Sequence, residues 1–467
     1  MMDTPICDFA RKYAQSGALR LHMPGHKGTP LLGMEPLDLT EIEGADSLYE
    51  ADGIILRSQQ NASRLFGCPT YYSTEGSSQC IRAMLSMLLQ CHRGGERPLI
   101  AAGRNAHKTF LSAAALLDYD VHWLYPQRGG SYLSCPLTPE QLSTELRAMP
   151  RKPVAVYLTS PDYLGSRVDV AGMASVCHEH GCLLAVDNAH GAYLRFLEPS
   201  EHPIDLGADL CCDSAHKTLP VLTGGAYLHV SPRLPELAQR AVKALALFGS
   251  TSPSYLILQS LDYANVYLEG HRERLRDFLP AVAALAQRLR GHGFQLCGDE
   301  PLKLTLAAKP CGYTGHELAE RLRGQGIVSE FHDRDHLVLM LTPEVGAEGL
   351  ARLEAALLSI PYRAPIAESA PQFHRAERVM SIRQAMLAPA ETLPVDACRG
   401  RTLAAPTVGC PPAVPILVCG ERIDDHAIRC FRYYGQETCE VVREDSMIKN
   451  HRSHCFYAAA SGGFLRV

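Results

Sequence analysis

The stretch CLLAVDNAHGAY (182–193) and, fifteen residues on, ADLCCDSAHKTLPVLTGGAYLHV (208–230) decide the reading of the fold. Each opens on a short run that is apolar on both faces, which is the signature of a strand buried inside a parallel sheet rather than one with a wet face. The first run, Cys182–Val186, ends at Asp187, so its carboxylate sits at the C-terminal end of a central strand, where open α/β sheets bind ligands. The second run leads through Ser214 and His216 to Lys217. A lysine just past a buried strand is placed to form a Schiff base, because desolvation at the sheet edge favours its neutral form. By itself Lys217 reads first as a solvated surface lysine, and Asp187 reads equally as a strand-end cap; their company changes the odds.

Working outward, the same alternation recurs on both sides. LIAAG (99–103), VHWLY (121–125) and VAVYLTS (154–160) are strand-like, with helical periodicity near 106–118, 138–148 and 170–180. This predicts an α/β large domain with a mostly parallel sheet over 61–252, preceded by an N-terminal arm (1–60) rich in Gly, Pro and short polar stretches. Residues 253–292 read as connecting helices with no turn signal before Gly270. Over 293–360, the runs FQLCG, LKLTLAA, GIVSEF and HLVLMLTP alternate with helices near 315–324 and 347–358, the composition of a small α+β domain. A further C-terminal domain (361–442) carries one predicted helix near 374–388 and the turn-rich stretch VGCPPAVPILVCGERI; 443–467 reads as a weakly ordered tail.

Composition narrows the function classes. The 467 residues carry 45 Lys+Arg against 50 Asp+Glu, a net charge of -5, which lacks the basic excess of a general nucleic-acid binder. No uncharged apolar run reaches the roughly 18–20 residues of a membrane span, and charges stand where a signal peptide needs its apolar stretch. A cytoplasmic protein that contacts neither membrane nor nucleic acid is expected. Seventeen scattered cysteines without a C-x-x-C pair read as reduced thiols, many of them small buried apolar residues such as Cys211 and Cys212.

Two further signals fall on the same sheet edge. In YYSTEGSSQCIRAML (71–85), Gly76, Ser77 and Ser78 lead into a helix, whose free N–H groups and dipole suit a phosphate, although the same residues make an ordinary cap. In GRNAHKTF (103–110), His107 follows a buried strand and is placed to stack on a flat ring, as Ala189 is small enough for one to lie against. An acidic residue such as Asp187 is the usual partner of the pyridine nitrogen of pyridoxal 5′-phosphate (PLP). A metal site from His22, His26, Asp187 and His190 is set aside, because Pro24 and Gly25 break the helical geometry that i, i+4 histidines need; no metal is expected.

The ordered set LHMPGHKG (21–28), STEGSSQCI (73–81), GRNAHK (103–108), TSPDYLG (159–165), DNAHGAY (187–193), SAHK (214–217), STSPSYLILQSLD (250–262) and PPAVPILVCGE (411–421) resembles the ornithine/lysine/arginine decarboxylases over about residues 15–442. These are fold-type-I PLP enzymes, and the likeness is to the short members without an N-terminal wing domain. The resemblance implies a PLP-dependent transferase-like large domain with smaller α+β C-terminal domains, and α-decarboxylation of lysine, arginine or ornithine to CO₂ and the amine, in polyamine and amino-acid metabolism. It further implies Lys217 as the Schiff-base lysine, Asp187 at the pyridine nitrogen, and His107 and Ala189 on the two ring faces. Ser77, Ser78, Ser214 and His216 fall around the phosphate. Thr251 and Ser252 resemble residues that reach the phosphate in a neighbouring subunit, so a homodimer or larger assembly is implied. Glu330 and Asp333 in GIVSEFHDRD are candidates for the distal charge of a basic substrate, though both fit solvated loop carboxylates as well.

Several motifs depart from the usual pattern. Asp46-Ser47-Leu48-Tyr49 stands for D-D-L-H, Ser160-Pro161-Asp162-Tyr163 for N-P-T-Y, L-T-G-G-A for L-T-Q, and Cys410 with Ala413-Val414 for the Tyr and Gly-Ile of Y-P-P-G-I-P. An aminotransferase of the same fold stays open as the second reading, and a PLP-binding paralogue without turnover as the third. Against the aminotransferase, the strand 336–343 offers no arginine to clamp a substrate carboxylate, unless Arg334 reaches in from its loop.

Overall fold

The computed structural model describes residues 2–126, 131–372, 375–407 and 412–444. Its largest sheet has seven strands in the order β1-β7-β6-β5-β4-β2-β3. They are β1 (Thr70–Ser73), β2 (Leu99–Gly103), β3 (Asp120–Leu124), β4 (Ala155–Thr159), β5 (Leu183–Asp187), β6 (Leu210–Asp213) and β7 (Ala226–Val230). Strands β2 to β6 are mutually parallel, and only β7 runs against its neighbours. Every residue of β2, β6 and β7 is buried, which is why these strands read as continuous apolar runs instead of alternating ones. The strand β1 escapes the periodicity reading because TYYS is short and polar at both ends.

Helices cover both faces: α1 (Pro5–Gln15), α2 (Ile54–Phe66), α3 (Gly76–Leu89), α4 (Lys108–Leu117), α5 (Pro139–Ala148), α6 (Val170–Glu179), the short α7 (Ala215–Thr218) and α8 (Pro235–Ala246). The N-terminal arm needs a correction, because the boundary expected after residue 60 falls inside α2. Asp46 explains where that helix begins: its buried carboxylate accepts from the backbone N–H groups of Gly53 and Ile55, both at 2.9 Å, supplying the cap that Gly53 lacks. The preceding α1 is also tied to the core. Asp262 Oδ2 accepts from Ile6 N–H and Cys7 N–H at 3.0 Å each, while its other oxygen accepts from Ser58 Oγ at 2.6 Å.

Two long helices, α9 (Tyr255–Glu269) and α10 (His271–His292), meet at Gly270 and lead to a four-stranded antiparallel sheet, β10-β11-β9-β8. Its strands are β8 (Gln295–Cys297), β9 (Lys303–Ala307), β10 (Phe331–His332) and β11 (His336–Met340), packed with α11 (Gly315–Arg323) and α12 (Gly346–Leu358). Of the run GIVSEF only Phe331 joins a strand, since β10 pairs with β11 through two residues.

The C-terminal part corrects the helix expected over 374–388, which shrinks to α13 (Ile382–Met386). Upstream, the chain is extended: Arg378 bridges to Glu421, and Val379 N–H and Met380 N–H both donate to Gly420 O. Ser381 then starts α13 through a reciprocal cap with Gln384. The pair β12 (Ala390–Pro394) and β13 (Thr438–Val442) and the helix α14 (Asp425–Tyr433) complete this part. Residues 445–467, which hold most of the expected tail, and Cys410 lie outside the described residues. Among the described residues no helix is long and apolar enough to cross a membrane.

Candidate active site

The parallel strands deliver their C-terminal ends to one cavity of about 170 Å³, lined by Asn105 and His107 after β2, Thr159 and Tyr163 at the end of β4, Asp187, Ala189 and His190 after β5, and Lys217 after β6. Glu330 closes it from the small sheet, and Pro412 and Val414 from the C-terminal part. That last wall is held by Arg104, 2% exposed, which donates to Pro415 O and Ile416 O at 2.9 Å each, and by Lys108 N–H donating to Ala413 O at 2.8 Å.

Asp187 is 2% exposed and accepts from Tyr157 Oη–H at 3.0 Å, Ala189 N–H at 3.2 Å and Cys212 Sγ–H at 3.7 Å. Burial pushes its carboxyl pKa up, opposed by the charge of Lys217 and by the Tyr157 hydrogen bond. The turn that follows is braced from below, where Asn188 Nδ2–H donates to Asp213 Oδ1 at 2.7 Å. Asp213 also faces His202 and His229 through Oδ2, at 3.2 and 3.0 Å, and those two rings hold its carboxyl well below the usual range despite complete burial.

His107 caps α4. Its Nδ1 accepts from Thr109 N–H at 3.1 Å, so the ring proton resides on Nε2. Burial, then the neighbouring Lys217, lowers its pKa to about 3, which keeps the ring neutral and suits stacking. Lys217 Nζ lies 3.0 Å from His190 Nε2.

Beside this cavity, the N-terminus of α3 is fastened to the turn that carries Lys217. Gly76 N–H donates to Gly224 O at 2.7 Å, and Ser214 Oγ–H donates to Ser77 Oγ at 2.7 Å. Gly76 has φ 71° and Gly224 φ 100°, and a Cβ on Gly224 would stand 2.9 Å from Thr74 O, so neither position tolerates a side chain cheaply. Ser78 Oγ lies 3.1 Å from Thr109 Oγ1, and His216 Nδ1 is 3.0 Å from Gly225 O. No side chain caps α3; with Gly76 N–H spent on Gly224 O, the next N–H groups, of Ser77 and Ser78, remain for an anion.

The geometry therefore gathers Lys217, Asp187, His107, Ala189 and Glu330 around one space, with Ser77, Ser78, Ser214 and His216 at its edge. Thr251 and Ser252 are exposed and do not line the cavity; their segment is anchored where Ser250 N–H donates to Glu75 Oε1 at 2.5 Å. Asp333 separates from Glu330. Its Oδ1 accepts from Asp335 N–H and His336 N–H, both at 2.7 Å, and so closes the β10–β11 turn rather than lining the cavity. Arg334 donates to Glu368 Oε2 at 2.8 Å, and among the described residues no arginine lines the cavity.

A family model described as Orn/Lys/Arg decarboxylase, major domain, matches residues 4–290, more than half of the sequence and the whole span that builds this edge. The chain belongs to the Orn/Lys/Arg decarboxylase family. Arginine decarboxylase of Bacillus subtilis is similar at 28% identity, covering 91% of this chain and 92% of its own length. Among solved structures, lysine decarboxylase A from Pseudomonas aeruginosa superposes with a TM-score of 0.78 at 17% identity, covering 94% of this chain and 80% of that one. Lysine decarboxylase LdcF of Francisella novicida superposes at 0.76 with 15% identity, covering 94% and 81%. The architecture is thus the fold-type-I α/β large domain with smaller α+β parts behind it, and this family member is an amino-acid decarboxylase by class.

Sequence reasoning missed six residues that shape this decarboxylase site. Tyr157 was visible only as one more residue of an apolar strand. Asp213 and its two histidines are scattered over three elements. Tyr163, whose Oη–H donates to Glu330 Oε1 at 2.8 Å, was noticed only as part of an altered motif. Lys303, buried at 5% exposure, had no local signal at all.

Proposed function

We propose that this chain binds PLP between His107 and Ala189, with Lys217 as its covalent anchor, and catalyses α-decarboxylation of a basic amino acid. The observation that carries the reading is the buried Asp187 carboxylate lining the same cavity as Lys217 and His107. Asp187 is 2% exposed, and burial raises its pKa against the opposing charge of Lys217; a protonated pyridine nitrogen is a partner its chemistry fits. The uncapped α3 terminus with the Ser77–Ser214 hydroxyl pair fits the phosphate in the same way.

When bound, PLP supplies an electron sink for the pair left at Cα as the bond to the carboxylate breaks. The protein's own contributions follow from its residues. Lys217 would hold the cofactor, Asp187 would keep its ring nitrogen protonated, neutral His107 would cover one ring face and Ala189 would leave room at the other. The apolar wall of Leu133, Pro412 and Val414 excludes water. With no arginine on the cavity wall among the described residues, the substrate carboxylate is not fixed in the ring plane, which favours its loss over transamination. Glu330 is the cavity carboxylate for the distal charge of lysine, arginine or ornithine, and Thr251 and Ser252 complete the phosphate site of a second copy in a dimer.

Purified protein loaded with PLP is incubated separately with lysine, arginine and ornithine, and CO₂, amine and keto-acid products are measured, alongside borohydride reduction and peptide mapping. Expected are CO₂ with the matching diamine or agmatine, and a pyridoxyl label on Lys217. Amino transfer without CO₂ overturns the decarboxylase reading; a label elsewhere overturns the cofactor assignment.

A further inference from the structure

Behind the cavity, a buried ion pair from the small sheet reaches the imidazole that touches Lys217. Lys303, on β9, is 5% exposed, and its Nζ lies 2.8 Å from Glu300 Oε2, 3.2 Å from Asp162 O and 3.2 Å from His190 Nδ1. Asp162 O and His190 Nδ1 thus face the N–H protons of an ammonium, and Glu300, itself 4% exposed, pairs with its charge and holds it there.

An ammonium has no lone pair, so at this contact His190 Nδ1 is the acceptor. A neutral imidazole then carries its only proton on Nε2. Doubly protonated imidazole is disfavoured at this depth, where burial and the ammonium of Lys303 depress its proton affinity. The Nε2–H must donate at its 3.0 Å contact, and the group it meets, Lys217 Nζ, must accept. Only a neutral amine can accept. The negative charge facing Lys217 is Asp187, which draws a proton toward the amine until a pyridine nitrogen occupies it; the imidazole works against that pull.

The geometry points to Glu300 and Lys303 as positioning residues that act through His190: by fixing its tautomer they hold Lys217 Nζ as the uncharged, nucleophilic amine that takes up PLP. This inference rests on the cofactor reading above and adds residues 83 and 86 positions downstream of Lys217 to its machinery. Electrons and protons balance without any further reactant, since the amine adds to the aldehyde carbon and water leaves.

The test is the pH dependence of cofactor uptake. Full-length protein is stripped of PLP, mixed with PLP between pH 6 and 10, quenched with borohydride at timed intervals, and the pyridoxyl-Lys217 peptide is quantified by mass spectrometry. An ordinary lysine, with a pKa of about 10.4, is neutral in fewer than about one molecule in a thousand at pH 7, so its uptake rate climbs about tenfold per pH unit. Wild-type protein is expected to load with a midpoint well below that, giving a nearly flat rate above neutrality. Lys303→Met alone would strand the buried Glu300 carboxylate and threaten the fold, so the variant is Glu300→Gln/Lys303→Met, which removes both charges together and leaves the net charge unchanged. It frees His190 to present a lone pair at Nε2, and the loading midpoint is expected to rise by at least one pH unit, with a tenfold or greater loss of rate at pH 7. Lys303→Arg, which keeps a donor-only cation, is expected to retain the wild-type midpoint. A purely structural role would lower the amount loaded without moving the midpoint. A double variant with the wild-type midpoint, or a wild-type rate rising tenfold per unit across the whole range, overturns the inference. If wild-type Lys217 takes no label at any pH, the cofactor reading itself has failed.

Discussion

Asp187→Asn isolates the charge on which the proposed chemistry depends. The carboxylate is 2% exposed and anchored by Tyr157 Oη–H, Ala189 N–H and Cys212 Sγ–H. Asparagine keeps the volume and an acceptor oxygen, whereas alanine would leave the tyrosine hydroxyl and the amide unpaired in the core, at about 1–3 kcal/mol each. The asparagine variant should therefore remain folded and lose mainly its charge. Two unit charges about 4 Å apart interact by about 4 kcal/mol at an effective dielectric of about 20, and about 1.4 kcal/mol is a factor of ten. Removing the carboxylate charge is then worth about three powers of ten in the proton affinity of the ring nitrogen, and a comparable loss in the rate of CO₂ release. Attachment at Lys217 does not require that charge. The assay is CO₂ release under saturating amino acid, paired with the borohydride-trapped label on Lys217 to count loaded sites. A rate within tenfold of wild type at equal loading would refute the assignment of Asp187 to the ring nitrogen.

Glu330→Gln should raise KM for the basic amino acid tenfold or more with little change in loading, while Asp333→Asn should lower the thermal midpoint and leave KM alone; steady-state kinetics and melts on both variants separate the two, and equal KM effects would contradict the placement of Asp333. His271 is 1% exposed, neither of its ring nitrogens has a hydrogen-bond partner in the structure, and burial, then Arg274, lowers its pKa to about 4. With the unfolded value near 6.5, the unfolded chain takes the proton first, so stability is full above about pH 6.5 and is lost as pH falls toward 4. His271→Phe should accordingly gain about 2 kcal/mol relative to wild type at pH 5 compared with pH 7.5, read from urea midpoints; an unchanged difference between the two pH values would show that this ring is not the acid-sensitive group. Thr251→Ala/Ser252→Ala should weaken PLP retention in the proposed dimer and make release depend on dilution, followed by sedimentation and cofactor fluorescence; wild-type monomers with full cofactor occupancy would rule out a shared phosphate site.

Much of the frame was legible because parallel, doubly covered strands write themselves as local apolar runs. LIAAG, VAVYLTS and CLLAVD each match a strand to within two residues, and a strand's last residue is by construction at the ligand-binding edge of such a sheet. That is why Asp187, His107 and Lys217 could be named without coordinates. Where backbone hydrogen bonds are satisfied by distant partners, the local signal misleads. The helix expected over 374–388 shortens because Val379 and Met380 spend their N–H groups on Gly420, and the boundary at residue 60 fails because Asp46 and Asp262 tie the arm into the core.

The sequence by itself determined which strand ends bear the reactive groups, since that depends on runs of five or six neighbouring residues. Only the tertiary structure put Glu330 on the cavity wall and Asp333 in the turn beyond it, at opposite ends of the two-residue strand β10. It alone brought Lys303 to His190 across 113 residues of chain. Burying an ammonium becomes tolerable only after folding has assembled its carboxylate, carbonyl and imidazole acceptors from three separate segments, so no stretch of residues read alone can contain that information.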